Sequence, residues 1–311
     1  MSALGRIGVV LRALTAQGRE ASLSPDRTDA REFRWSWCAA TVWSMNDLVS
    51  SISRLPAGVL PAGRVVCPED GGSPVYWLSD EPAPSGAWSR FRAGNAEWHL
   101  WPLLLRGEDD RPEYPWQVGE VSPANMTPAD QHDAAEQMQN RWRDYTEWHD
   151  TDDEFLSKAE RTAITAPFGR DWPGLCPDIT LQGPPDEVAD GYAEFLHDDR
   201  TRLGLVAVER GSDSLWVTGW SGPLNYDNDS GVFAAIVRSW EDRFGARVVG
   251  LGPATLELSL AAPPLTRQQA RHVAAEHFAF CPDSVWQGGY HNLEEYAASL
   301  IGQNCWSFWW D

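Results

Sequence analysis

The chain ends "CWSFWWD", residues 305–311, with three Trp and one Phe among its last six positions. Chain ends usually fray and are usually polar. Alternation offers a reading of this one: Trp306, Phe308 and Trp310 share one side of an extended strand, and Ser307, Trp309 and Asp311 share the other. The first set reads as core, worth roughly 2–3 kcal/mol per buried side chain. The second set has no such role. Trp309 and Asp311 are therefore expected either against the rest of the protein or on a binding surface.

Working upstream, "NLEEYAASLIG" (292–302) reads as a helix, and "PPLTRQQARHVAAEHFAFC" (263–281) as another, capped by Thr266 and stopped by Pro282. "TLELSLA" (255–261) alternates cleanly as a strand, with Thr255, Glu257 and Ser259 on its polar side. "ARVVGLG" (246–252) and "RLGLVAVE" (202–209) are strands. "GVFAAIVRSWEDRFG" (231–245) is a helix with Gly245 as its stop, primed by Asp227, Asp229 or Ser230. The order β-α-β-β-α-β is that of a ferredoxin-like fold, sheet order 4-1-3-2. It predicts that 305–311 pairs with 202–209, that both helices cover one face, and that Glu257 lies on an open face.

The residues just read also resemble a known family. "GWSGPLNYDND" (219–229), "RSWEDRFGARVVGLG" (238–252), "AAEHFAFCPDSVWQG" (274–288) and the terminal "WSFWWD" are similar to the bacterial domain of unknown function 4253 family. A weaker resemblance extends through "VYWLSDEP", "LWPLLL" and "PFGRDWPGL". The family carries no established activity, so the resemblance implies class membership and no catalytic residues.

Upstream, "GRVVCPE" and "PVYWLSD" are strands around the turn "DGGS", "GAWSRFRAG" is a short helix, and "EWHLWPLLL" ends in a buried strand. A helix is expected from Thr127 as N-cap with Pro128 at its first position, and another over "PDEVADGYAEFLHD" (185–198). The overall expectation is α+β: a smaller mixed α/β domain over 45–200, then the ferredoxin-like domain over 201–311. Residues 1–44 carry six Arg against four acids, unlike the acidic remainder. They read as a loosely held extension, or as lying before a start at Met45.

Composition narrows the function classes. A net charge of −20 disfavours nucleic acid and anionic membranes and suits a basic protein partner. Five scattered Cys without a C-x-x-C pair fit reduced cytoplasmic thiols. No apolar run approaches a membrane span, and the first twenty residues lack a signal-peptide core. "HVAAEH" places His272 and His277 five apart, about 140° around a helix, so they cannot share a metal. His277, Cys281 and Cys305 are the better-spaced candidate zinc ligands, short of a fourth. "NYDNDSG" departs from a calcium loop in its glycine and last ligand and reads as a helix cap. "HDTDDEF" (149–155) reads as a solvated acidic loop, and Arg238 with Asp242 as a helix-surface pair.

The expected function is a non-catalytic acidic binding protein for a basic protein partner, of the immunity type, using no cofactor. Its candidate surface is Glu257, Trp286, Trp309 and Asp311. The alternative is an enzyme with a site between the halves, using His277, Glu276 or Asp311 with Trp286 and Trp309 as walls. A third reading confines the Trp-rich motifs to core packing.

Overall fold

The computed structural model describes residues 47–147 and 157–311; residues 1–44 and the acidic string 149–155 lie outside them. Seven strands form one mixed sheet: β1 (Gly63–Val66), β2 (Tyr76–Pro82), β3 (Trp101–Leu105), β4 (Arg202–Val206), β5 (Arg247–Leu251), β6 (Thr255–Ser259) and β7 (Cys305–Trp309). The order across the sheet is β1-β2-β4-β3-β5-β6-β7. All neighbours are antiparallel except β3 and β5, which run parallel with Leu104 opposite Gly250 and Leu105 opposite Leu251.

The α+β class holds, and the ferredoxin-like order does not. β3 stands between β4 and β5, and β7 pairs with β6, Leu256 opposite Phe308 and Leu258 opposite Trp306, rather than with β4. The physical reason lies in two continuous apolar runs. "WPLLL" is buried at every position of β3, and all of β4 after Arg202 is buried. Strands of that kind need partners on both edges and cover on both faces. Each therefore occupies the middle of the sheet, and the strands on either side of residue 200 form one ladder.

Both faces are covered. On one, α8 (Ser230–Phe244) and α9 (Arg267–Phe280) pack over β7. Trp240 stacks on Phe308 with ring centroids 5.6 Å apart and meets Trp306 edge-on at 5.2 Å. On the other face lie α2 (Ala87–Ala93) and α6 (Pro185–Leu196). This second layer overturns the open face: Ser259 is fully buried, and Glu257 is half-buried beneath α6. The remaining helices are α1 (Asp47–Ser53), α3 (Asn95–Trp98), α4 (Ala134–Glu147), α5 (Lys158–Ile164), α7 (Asp213–Thr218), α10 (Asp283–Trp286) and α11 (Leu293–Leu300). Among the described residues no helix is long and apolar enough to cross a membrane.

The caps follow local chemistry. Asp229 caps α8 through Gly231 N, and Gly245 ends it at φ 60°, a backbone angle that suits a residue without Cβ. Thr266 and Gln269 form a reciprocal capping box on α9. The expected helix at Thr127 starts later, at Ala134, where Asp133 accepts from Glu136 N. Thr127 is occupied elsewhere: its backbone N and its hydroxyl both donate to Asp229. Nor does Arg238 pair with Asp242; it reaches Asp130 and Asp213, and Asp242 accepts from Arg210 instead.

The terminal strand alternates as its sequence demands. Trp306, Phe308 and Trp310 are 3%, 0% and 2% exposed, and Trp309 is 44% exposed. Trp310→Ala should cost about 3–5 kcal/mol in denaturant unfolding, and Trp309→Ala less than about 1 kcal/mol. The topology gives a second expectation. Residues 201–311 expressed alone deprive β4 of β2 and β3, both its partners, and should show no cooperative thermal transition.

Candidate binding surface

Only part of the expected surface is brought together. Trp309 and Asp311 follow one another on the exposed side of the last strand. The backbone N of Asp311 donates to Asp283 Oδ2 at 3.2 Å, and Asn225 Nδ2 donates to the Asp311 carbonyl, so the chain end is tied down and its side chain stays at the surface. Asp283 is buried at 1% exposure and also accepts from Tyr226 OH (2.6 Å) and Gln287 Nε2 (3.1 Å). Burial lifts its carboxyl above the ordinary range, and these donors oppose the rise.

Glu257 has a different task. Tyr192 OH donates to its Oε2 at 2.6 Å and Ser307 Oγ to its Oε1 at 2.8 Å, so this carboxylate clamps α6 to β6 and to the edge strand β7. Burial raises its pKa. Trp286 turns inward: its ring lies edge-on to Tyr145 (6.0 Å) and Phe278 (5.4 Å), bridging α4 and α9. Sequence reading missed Phe195, 81% exposed and stacked on Tyr192 at 6.2 Å. Its signal was present, since Phe195 follows Tyr192 by one helical turn.

Of the enzyme-like residues, His277 and Glu276 are fully buried away from this surface. His277 is fully enclosed by Trp306 (ring centroids 4.2 Å), Phe308 (4.8 Å) and Trp240 (5.5 Å), and a 2.8 Å hydrogen bond joins its Nδ1 to Tyr296 OH. Burial pushes its pKa down to about 3, so the ring is neutral. Glu276 is also fully buried; Arg243, Trp240 and the backbone N of Cys176 all donate to it. The Cys281 thiol donates to the Trp309 carbonyl at 3.1 Å, and burial pushes it up to about 12. Cys305 projects from the opposite side of β7, where strand alternation separates it from His277. Among the described residues no group of three or more His, Cys, Asp or Glu is placed to hold a metal ion.

Two hollows stand out elsewhere among the described residues. One, about 400 Å³, is lined by Arg92, Arg210 and Arg247, and each guanidinium is paired with a carboxylate: Asp190, Glu241 and Asp186 in turn. The other, about 510 Å³, opens where the loop from Pro68 to Val75 faces the segments 121–125 and 207–209 and helix α7. Its lining is mostly apolar, with Val75, Val121, Val208 and Trp216 among its walls. Sequence reads the "DGGS" turn only as a turn and marks no residue of this cleft as a site, because its wall is assembled from separate segments with no shared motif.

Residues 202–311 match the family model described as domain of unknown function (DUF4253). That stretch is a DUF4253 domain, the family indicated by its aromatic strings; the match takes in none of the upstream ones. No curated protein and no solved structure gives a significant match.

The neutral His277 has a measurable consequence. Its folded pKa, about 3, lies below the ordinary value of 6.5, so the unfolded chain binds the extra proton between them. Its contribution to stability is complete above pH 6.5 and is lost as pH falls toward 3. Denaturant unfolding from pH 7 to pH 4 should show wild type losing stability relative to His277→Gln, by an amount on the order of a few kcal/mol. A pH-independent difference between the two proteins would refute the assignment.

Proposed function

We propose that the chain, with its DUF4253 domain, is a non-catalytic binding protein for a basic protein partner, engaged at the end of the last strand in the manner of immunity-type proteins. The observation that carries this reading is the exposure of Trp309 beside Asp311 on a strand whose other aromatics are core. Tryptophan at an exposed site flanked by carboxylate matches the residue chemistry of interface anchors. The charge pattern supports the same reading. Arg92, Arg141, Arg210, Arg238, Arg243 and Arg247 are consumed by ion pairs within the fold. The acidic surplus of a chain of net charge −20 is then left for long-range attraction of a cation-rich surface.

The test is a comparison of wild type and Trp309→Ala as baits in extracts of the native host at low and high salt. A basic protein retained by wild type at low salt, released above about 0.5 M salt and lost with Trp309→Ala supports the reading. The variant's melting curve should stay close to wild type, which separates loss of contact from loss of fold. Equal retention by both baits, or retention of acidic proteins only, rejects it.

A further inference from the structure

The apolar cleft beside the Pro68–Val75 loop plays no part in the surface around Trp309. We infer that it binds a small organic cation: an amine or guanidine carried on an apolar body. Its volume of about 510 Å³ falls among clefts that enclose small molecules, typically roughly 300–1,000 Å³. Its walls supply Val75, Val121, Val208 and Val217 for an apolar body.

The sign of the ligand's charge follows from the polar residues. Asp70, Glu209 and Asp213 line the cleft, and no Lys, Arg or His does. The three carboxylates are not equivalent. Asp213 is already occupied: Trp216 Nε1 donates to its Oδ1 at 3.2 Å, and Arg238 donates to the same oxygen. Glu209 lies 3.5 Å from His99 and is largely exposed. Asp70 has no hydrogen-bond or ion-pair partner among the described residues. It is the group free to meet a ligand's charge. The Trp216–Asp213 bond also fixes the indole, and a fixed indole in the wall is a preferred neighbour for an organic cation.

Helices α1 and α7, the turn at Pro123–Asn125 and the residues flanking β2 and β4 line the cleft without closing it. It sits where β4 ends and β2 begins, so its floor and walls are held by the sheet and α7, while Asp70 and Ser73 ride on the connecting loop. A rigid apolar wall with the charged group on a loop is an arrangement that orients a ligand by its body and selects it by its charge.

Three probes of matched size test this: 2-phenylethylammonium, neutral 2-phenylethanol and anionic 3-phenylpropanoate, titrated into the full chain by calorimetry. The ammonium should bind most tightly, the alcohol about fivefold more weakly, and the carboxylate not measurably. Asp70→Asn should weaken the ammonium about threefold and leave the alcohol unchanged. Ser73→Trp, which fills the cleft from the loop, should abolish both. Trp309→Ala should leave all three titrations unchanged, so failure here is distinguishable from failure of the protein-partner reading. Comparable binding of the carboxylate, a wild-type affinity for the ammonium in Ser73→Trp, or no ammonium binding at millimolar concentration would overturn the inference. Because Asp70 is exposed and unpartnered, its substitution keeps the test valid even if the tryptophan variant fails to fold.

Discussion

A carboxylate without access to water organises the core. Glu276 receives Arg243 at 2.9 and 2.6 Å on its two oxygens, Trp240 Nε1 at 2.7 Å and Cys176 N at 2.6 Å. Removing a carboxylate from water costs several kcal/mol, and the pairing offsets that cost only when geometry is good and the remaining lone pairs are filled. Here the partners come from three places: α9 supplies the acid, α8 supplies the donors Trp240 and Arg243, and the loop before α6 supplies the donor Cys176 N. Moving any one of them strands a buried charge. The crossing of α8 and α9 is therefore specified by polar geometry as well as by shape. The Trp240 ring held by Glu276 is the same ring that stacks on Phe308, so the ion pair also sets the floor on which β7 lies.

The next residue on α9 shows how sharply the helix separates tasks. Glu276 points to Arg243 and His277 to the aromatic box under β7. As a pair of letters, "EH" suggests acid–base chemistry. In space the two side chains serve different contacts and neither meets water. Catalytic groups must touch a substrate, and a fully enclosed histidine ringed by Trp306, Phe308 and Trp240 is spent on packing. Sequence shows which residue types are present; it does not show burial, and burial decides which of them are available to a ligand.

What was legible follows the range of the physics involved. The period-2 pattern of "CWSFWWD", the capping box at Thr266 and the stop at Gly245 are local, and each appears in the structure as read. The sheet order depends on which strands meet, and that is a long-range choice. The run "WPLLL" carried a hint, since a strand buried at every position is unsuited to an edge. Its insertion between β4 and β5 could be inferred only by asking where the five apolar positions of 101–105 would find cover. The order 4-1-3-2 fails because it closes the four later strands on themselves and leaves that run unpaired. The position of Glu257 was lost for the same reason: an open face was expected where α6, from the earlier half, supplies Tyr192.

The two candidate binding places differ in how they relate to this architecture. Trp309 is exposed on the side of β7 that faces away from α8 and α9, and the fold spends its other aromatics on the side beneath them. Substituting it should disturb little beyond the surface, which is the position in which a binding residue can change without loss of the fold. The cleft instead exists because β4 ends where β2 begins and α7 starts close by, so its shape is set by these elements while its unpaired carboxylate sits on a connecting loop. A surface of the first kind suits a large partner steered by charge; a hollow of the second kind suits a small one held by its body. Both draw on the same acidic excess, left over once the internal guanidiniums have been matched.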